Sequence, residues 1–213
     1  HRAPDAFSVR VRTCDILEPV YVGRGDWRSE VSLCRVRLGD AATPAERVEL
    51  HTRIARLSET SGQDLRTAFA EYGSAFREAY GEPALLKELV RLAEALDAWA
   101  ALGDVFSEGL NGDAALDLEP ALRREMLGRV ATLQEVRVGD LALAVGYNRR
   151  VLDEWPDDAE ALENLDRLYE RVGDADALVE VVEMRARLAG SMEERAAMSF
   201  RLADLFENLL GRP

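Results

Sequence analysis

The sequence has few of the residues on which metal sites and disulfide frameworks are built. It contains two cysteines, Cys14 and Cys34, and two histidines, the terminal His1 and His51. Both cysteines fall at apolar positions of helical patterns, so we expect buried free thiols, with a Cys14–Cys34 bridge as the less favoured alternative. His51 has no second histidine or cysteine pair at ligand spacing, which predicts a solvated or packed side chain and no metal site.

Long apolar stretches and an excess of basic charge are also missing. No stretch is apolar for long enough to span a bilayer, and no basic segment followed by an apolar one resembles an export signal, so we expect no membrane insertion and a cytoplasmic location. The 27 basic residues are outnumbered by 40 acidic ones, for a net charge of −13. Such a surface repels phosphates, and no basic stripe offsets it, so nucleic-acid binding is not expected.

Residue sets that carry catalysis or hold cofactors are not found in the sequence. No Gly-x-Ser-x-Gly elbow occurs, and Gly23-Arg24-Gly25 follows a predicted helix, which indicates a turn and not a phosphate loop. The acidic stretch 153–163 lacks the alternating oxygen ligands of a calcium loop, and Asp157 and Asp158 suit a helix N-terminus. We therefore expect neither an enzyme, nor a cofactor, nor a bound metal.

What the sequence does contain is a helical pattern along nearly its whole length. Only seven prolines and fifteen glycines interrupt it, 47% of the residues are hydrophobic, and apolar residues recur at spacings of three and four. Short connections between helices favour antiparallel hairpins. The pattern predicts about eleven antiparallel helices, at 9–23, 26–38, 44–60, 64–80, 83–97, 99–109, 119–137, 140–154, 158–172, 175–189 and 192–209.

Turn and capping residues set the predicted helix ends. Thr43-Pro44-Ala45-Glu46 has the form of a capping box with proline at the first helical position. Glycine followed by aspartate predicts a turn and a new helix, because glycine adopts the left-handed conformation and aspartate caps; the pairs are Gly25-Asp26, Gly39-Asp40, Gly139-Asp140 and Gly173-Asp174. Pro19 lies inside the first predicted helix, so we expect a kink there or a late start near Asp15.

The helices repeat one another in register. Arg53-Ile54-Ala55-Arg56-Leu57 returns as 129–133 and again as 201–205, at intervals of 76 (129 − 53) and 72 (201 − 129) residues. Such spacing predicts an array of stacked units. We expect one solenoid over 1–213, with two-hairpin units at 44–110 and 119–190 and partial units at 1–43 and 191–213. The partial units suggest a fragment of a longer array, or self-association through the unpaired terminal helix.

The residues resemble those of tetratricopeptide repeats. Within 158–190, Leu165, Leu168, Tyr169, Gly173 and Asp174 occupy the apolar, aromatic and turn positions of that family, and 125–156 follows the same order. Each hairpin takes about 37 residues, close to the family's 34. The resemblance implies an all-α, right-handed α-solenoid whose concave face is lined by the first helix of each hairpin and commonly holds peptides or partner helices.

Three arginines are candidate partner-binding residues on that face. Arg56, Arg91 and Arg167 each follow the leading apolar position of a first helix by two residues. Their guanidinium groups could receive a carboxylate-rich or C-terminal segment. The alternative is local pairing at helical spacing, of Arg56 with Glu59 and of Arg167 with Glu163 or Glu170.

Two hypotheses on function follow from this pattern. The first is a non-catalytic scaffold that binds a protein or peptide partner on the concave face. The second is a structural spacer whose repeats set the distance between other domains and bind nothing. Arginines left unpaired would favour the scaffold, and arginines paired within their own helices would favour the spacer.

Overall fold

The computed structural model describes the backbone of residues 6–208 and, apart from residue 11, the side chains of 10–207. Within this range the protein is all-α and contains no strand, which confirms the predicted class. Eleven α-helices follow one another: α1 (Ala6–Arg24), α2 (Trp27–Asp40), α3 (Pro44–Thr60), α4 (Leu65–Glu78), α5 (Pro83–Leu96), α6 (Trp99–Leu110), α7 (Pro120–Leu133), α8 (Leu141–Glu154), α9 (Ala159–Val172), α10 (Ala175–Leu188) and α11 (Met192–Asn208).

The chain divides into two compact units. Unit 1 is His1–Glu119 and unit 2 is Pro120–Pro213. In each unit every helix packs on the next one in sequence, and in unit 1 α4 also contacts α6. This confirms the helical-repeat, solenoid type of packing inside each unit. The boundary between the units falls where the predicted 119–190 repeat begins.

Polar caps start most of the helices. In α3 the Glu46 amide donates to the Thr43 hydroxyl at 3.2 Å, and the Thr43 amide donates to the Glu46 carboxylate, as a capping box requires. Ser191 and Glu194 make the same pair of bonds before α11. A carboxylate accepts from the amide three residues later at five further starts: Asp26, Asp64, Asp140, Asp158 and Asp174.

The turn predicted at Gly39-Asp40 is wrong. Helix α2 continues through Asp40, and Ala41 caps it by donating its amide to the Leu38 carbonyl. Asp40 is not needed as an N-cap, because Thr43 already satisfies the amides at the start of α3. The other three glycines, Gly25, Gly139 and Gly173, do adopt the left-handed conformation at helix ends.

Helix α1 does not begin late. It starts at Ala6 and runs through Pro19, which lies well inside the helix. The prediction of a start near Asp15 is therefore wrong. The exposed proline leaves the Asp15 carbonyl without its usual helical donor, and because both residues face solvent, water can satisfy that carbonyl.

Equivalent positions of the repeat form the core. Leu89 and Leu165, 76 residues apart, are both fully buried. In unit 2 Leu165 belongs to a cluster that joins α9, α10 and Leu205 of α11. In unit 1 Val31, Cys34 and Ile54 form a cluster between α2 and α3. The 76-residue spacing therefore records positions with the same burial.

Both cysteines are free and buried, as predicted. Cys14 and Cys34 lie 148 residues before Leu162 and Val182, two buried members of the unit 2 cluster. Burial raises the pKa of Cys34, so its thiol stays protonated at neutral pH. The two cysteines act as small apolar core residues.

Helix α7 ends in a π-helical turn, Gln134–Val138, before the left-handed Gly139. The Gln134 carbonyl accepts from the Asp140 amide at 2.9 Å, which closes the turn and brings Asp140 into position to cap α8. The turn also places Glu135, the next residue, beside α9, where its side chain is almost fully buried by arginines.

Candidate functional site

Arg91 of α5 is held by the neighbouring first helix, α3. Its Nη2 atom lies 2.7 Å from Oε1 of Glu59, and its Nε donates to Glu88 of its own helix at 2.8 Å. These bonds raise the pKa of Arg91, with the Glu88 hydrogen bond the largest cause. The side chain is 45% exposed, so the guanidinium is fixed in place and still open to solvent.

Arg167 of α9 is held in the same way in unit 2. It binds both carboxylate oxygens of Glu135, one of them at 2.9 Å, and donates to Oδ1 of Asn164 at 3.1 Å. The hydrogen bonds to Glu135 raise the pKa of Arg167. The side chain is 50% exposed. Since Glu59 and Arg91 lie 76 residues before Glu135 and Arg167, the same ion pair occurs twice in the repeat.

The local pairing considered for Arg167 is wrong. Glu163 lies 3.6 Å from Arg185, and Glu170 lies 3.9 Å from Arg201, so both carboxylates point to other helices. Helical spacing alone does not decide the partner here, because the π-helical turn offers Arg167 a more buried carboxylate from α7.

Arg56 lies exposed on α3 and donates a hydrogen bond to Tyr72 of α4. Burial raises the pKa of Tyr72, and the contact with Arg56 opposes that rise. Glu59 and Glu88 act on the same hydroxyl. Glu59, which we considered as the local partner of Arg56, binds Arg91 instead. The structure thus brings Arg56 and Arg91 together in unit 1, and it places Arg167 in unit 2.

Two asparagines complete the arrangement and were missed in the sequence. Asn148 of α8 is buried and donates to the Ala144 carbonyl at 2.8 Å, and Asn164 donates to Asn148 at 3.4 Å. They lie 76 residues after Tyr72 and Glu88, so the repeat itself was the signal that could have found them. We call the two sets the polar clusters: Arg56, Glu59, Tyr72, Glu88 and Arg91 in unit 1, and Thr132, Glu135, Asn148, Asn164 and Arg167 in unit 2.

The second helices carry a separate row of ion pairs. Arg77 of α4 binds Glu108 of α6 at 2.6 Å, and Arg149 of α8 lies 3.5 Å from Glu180 of α10. These arginines are as open to solvent as those of the polar clusters. A partner that binds the first helices would not contact this row, which therefore supplies matched control positions.

A buried carboxylate joins three helices in each unit. In unit 2 Asp166 of α9 binds Arg185 of α10 and Arg201 of α11, with Arg201 Nη1 donating at 2.8 Å. Asp166 is only 3% exposed. In unit 1, 148 residues earlier, Glu18 of α1 binds Arg37 of α2 and Arg53 of α3. We call these the three-helix ion pairs, and they account for two arginines of each unit that point inward.

Other titratable residues are engaged in structural contacts. His51 of α3 lies 2.7 Å from Glu71 of α4. Over residues 6–208 the structure brings together no group of three metal-ligating side chains. In the same range no helix combines the length and apolarity that a membrane span requires.

The fold and the polar clusters define an all-α helical-repeat protein with a repeated arginine–glutamate pair between neighbouring first helices. In comparisons with known proteins, no family model matches this chain and no curated protein matches its sequence.

Proposed function

We propose that the protein is a non-catalytic interaction scaffold that binds a peptide or partner segment on its first helices. The proposal draws on the resemblance to tetratricopeptide repeats, in which this face is the concave one and commonly holds such segments. The protein partner would contact Arg91 and Arg167 in their polar clusters, and Arg56 at the edge of the unit 1 cluster.

The observation that carries the proposal is the state of the two equivalent guanidinium groups. Arg91 and Arg167 are half exposed, yet carboxylates from the neighbouring hairpins already hold them. A partner that binds to a preordered arginine does not have to offset the loss of side-chain freedom, which otherwise costs about 0.5–1.5 kcal/mol per side chain. Planar guanidinium groups of this kind favour carboxylate acceptors.

The charge balance of the unit 2 cluster favours the same class of partner. Glu135 binds both Arg167 and Arg171, and each arginine is about half exposed. Two positive charges against one negative charge leave a local positive charge on an otherwise acidic protein. A peptide carboxylate is therefore the group that this cluster would attract.

A library of displayed peptides tests the proposal. The wild-type chain is immobilised, bound peptides are enriched and identified, and their affinities are measured by fluorescence anisotropy. Substituting glutamine in Arg91→Gln/Arg167→Gln should weaken binding of the enriched peptides by about tenfold or more, because two charge-assisted bonds are lost. The second-helix variant Arg77→Gln/Arg149→Gln should bind as the wild type does.

The spacer hypothesis predicts a different result. If the first-helix pairs only fix the distance between hairpins, the wild-type chain enriches no acidic peptide, and both double variants differ from it in thermal stability alone. Equal loss of binding in both double variants would also contradict a site on the first helices. Circular dichroism spectra of all three chains establish that the helices are intact.

A further inference from the structure

Helix α11 repeats α3 and α7 but lacks their covering helix. Its first-helix sequence aligns residue by residue with theirs, at offsets of 148 and 72. In the described part of the chain α11 packs on α10, through Leu205 with Met198, Leu202 and Phe206 beside it. In the same repeat register α3 packs on both α2 and α4. One side of α11 therefore has no counterpart to α4.

The exposure of equivalent residues identifies that side. Ala203 is exposed, whereas its equivalents Ala55 and Ala131 are 0% and 2% exposed. Leu202 and Phe206 are half-buried at positions that are fully buried in α3 and α7, and Ser199 is exposed where Leu127 is buried. Phe200, beside Ala203 in the sequence, is 78% exposed. We call this the α11 end face: Ser199, Phe200, Leu202, Ala203 and Phe206.

The helices that cover the equivalent faces share one pattern. Helices α4 and α8 each begin after a capping aspartate and have leucine at the first helical position. Each buries an alanine completely at the fourth position, Ala68 or Ala144. Each ends in glutamate, Glu78 or Glu154. The small fourth residue lets the two helices of a hairpin approach closely.

An arginine at the start of the first helix binds that final glutamate. Arg47 of α3 donates to Glu78 from both Nε and Nη2 at 2.7 Å. Arg123 of α7 donates to Glu154 at 2.9 Å. The residue of α11 in this register is Arg195, at offsets of 148 and 72, and it is exposed. The end face therefore has the same apolar positions and the same arginine as the two covered faces.

We propose that the α11 end face binds an amphipathic helix of a partner protein with the pattern of α4 and α8. That helix has a small residue at its fourth position, which packs on Ala203, and a glutamate at its last position, which Arg195 binds. The argument is the continuity of an interface that the molecule already forms twice, between α3 and α4 and between α7 and α8. This surface is separate from the polar clusters, so the proposal does not depend on the proposed function.

A peptide with the sequence of residues 139–156, which contains α8 and both of its ends, is the probe. It is labelled with fluorescein and titrated with the full 213-residue chain, and binding is measured by anisotropy. Saturable binding is expected. The substitution Ala203→Glu should weaken it by about tenfold or more, since it places a charge where two helices meet. Because the peptide could displace the chain's own α8 from α7, this variant decides which face is bound.

A charge exchange tests the role of Arg195. Arg195→Glu should weaken binding several-fold, and a peptide carrying Glu154→Arg should restore most of the loss. Arg187→Glu, which makes the same charge change at another exposed arginine of unit 2, is the control and should bind as the wild type does.

Three results would overturn the proposal. The first is the absence of saturable binding by the α8 peptide. The second is binding that Ala203→Glu leaves unchanged. The third is a dimer of the wild-type chain in sedimentation equilibrium that Ala203→Glu converts to monomer, because the occupant of the end face would then be a second copy of the chain.

Discussion

At the scale of the residue, the main finding is that partners come from the neighbouring hairpin. The ion pairs of Arg91 and Arg167 join residues 32 positions apart, beyond the reach of spacing rules for a single helix. The sequence predicted these arginines as candidates because they recur in the repeat. It did not predict their partners, because those depend on how closely successive first helices approach and on the π-helical turn that places Glu135.

A single residue also carries backbone strain. Gln63 has a φ of 53° at the end of the α3–α4 turn, where the equivalent residue 76 positions later is Gly139 with a φ of 83°. A side chain in the left-handed region costs about 1–2 kcal/mol, while glycine there costs some folding entropy. Gln63→Gly should therefore raise the free energy of unfolding by about 0.5–1 kcal/mol.

Urea denaturation measures this change as a higher midpoint at an unchanged m-value. The matched variant Gly139→Gln should lower the midpoint. A lower midpoint for Gln63→Gly would show that its side chain makes a stabilising contact that outweighs the strain.

At the scale of the element, the sequence predicted the helices well for identifiable reasons. Eleven helices were predicted and eleven are found in residues 6–208, because hydroxyl and aspartate caps mark their starts and glycines mark several of their ends. The two errors concern residues whose usual role is overridden. Asp40 has a capping sequence but α3 uses Thr43, and Pro19 has a breaking sequence but α1 continues through it.

Helix α1 should become more stable without its internal proline. Pro19→Ala restores the amide donor to the Asp15 carbonyl and removes a steric clash, so the free energy of unfolding should rise by about 1–3 kcal/mol. The control is Pro44→Ala, because Pro44 lies at the first position of α3, where proline is favoured. Thermal unfolding followed by circular dichroism measures both, and a lower melting temperature for Pro19→Ala would refute this reading of α1.

The three-helix ion pair of unit 1 should make stability depend on pH. The hydrogen bond from Arg53 holds the pKa of Glu18 below its ordinary value of 4.5. A carboxylate with a lowered pKa in the folded state contributes stability above its unfolded pKa and loses it as the pH falls through the folded value. The contribution of Glu18 is therefore full at neutral pH and is lost below about pH 4.5.

Glu18→Gln removes this term, so the fall in unfolding free energy between about pH 5 and pH 3 should be shallower than in the wild type. Urea denaturation at each pH provides the comparison. Glu49→Gln, a change at an exposed carboxylate of α3, is the control and should follow the wild-type curve. Parallel curves for Glu18→Gln and the wild type would contradict the assignment.

At the scale of the whole molecule, the repeat predicted which positions share an environment. Residues at 54, 130 and 202 occupy the same register, and the first two are fully buried. The third is only half-buried, and the sequence motif alone could not reveal this, because exposure depends on which helix follows. The division of the chain at Glu119 also lies outside what the motif predicts.

Each unit has its own core, so damage to one core should be felt locally. Leu165→Ala should lower the stability of unit 2 by about 2–5 kcal/mol as a buried leucine truncation. Hydrogen exchange followed by mass spectrometry should show faster exchange in α8 to α10 than in α3 and α4. Leu89→Ala, at the equivalent position of unit 1, should give the reverse pattern.

Exposed Leu143→Ala is the control for both truncations and should change exchange little. Uniform acceleration along the whole chain after either core substitution would mean that the two units unfold as one cooperative body. An unchanged exchange pattern and melting curve for Leu165→Ala would refute its place in the core.

The ion pairs between hairpins also bear on how such a chain changes length during evolution. Each arginine finds its carboxylate 31 to 36 residues away, within one 76-residue period. An in-frame tandem duplication of one period would copy donors together with acceptors, so the inserted hairpins would arrive with their electrostatic partners already encoded. Recombination between the copies could then lengthen or shorten the protein in whole periods without first creating an unmatched buried charge.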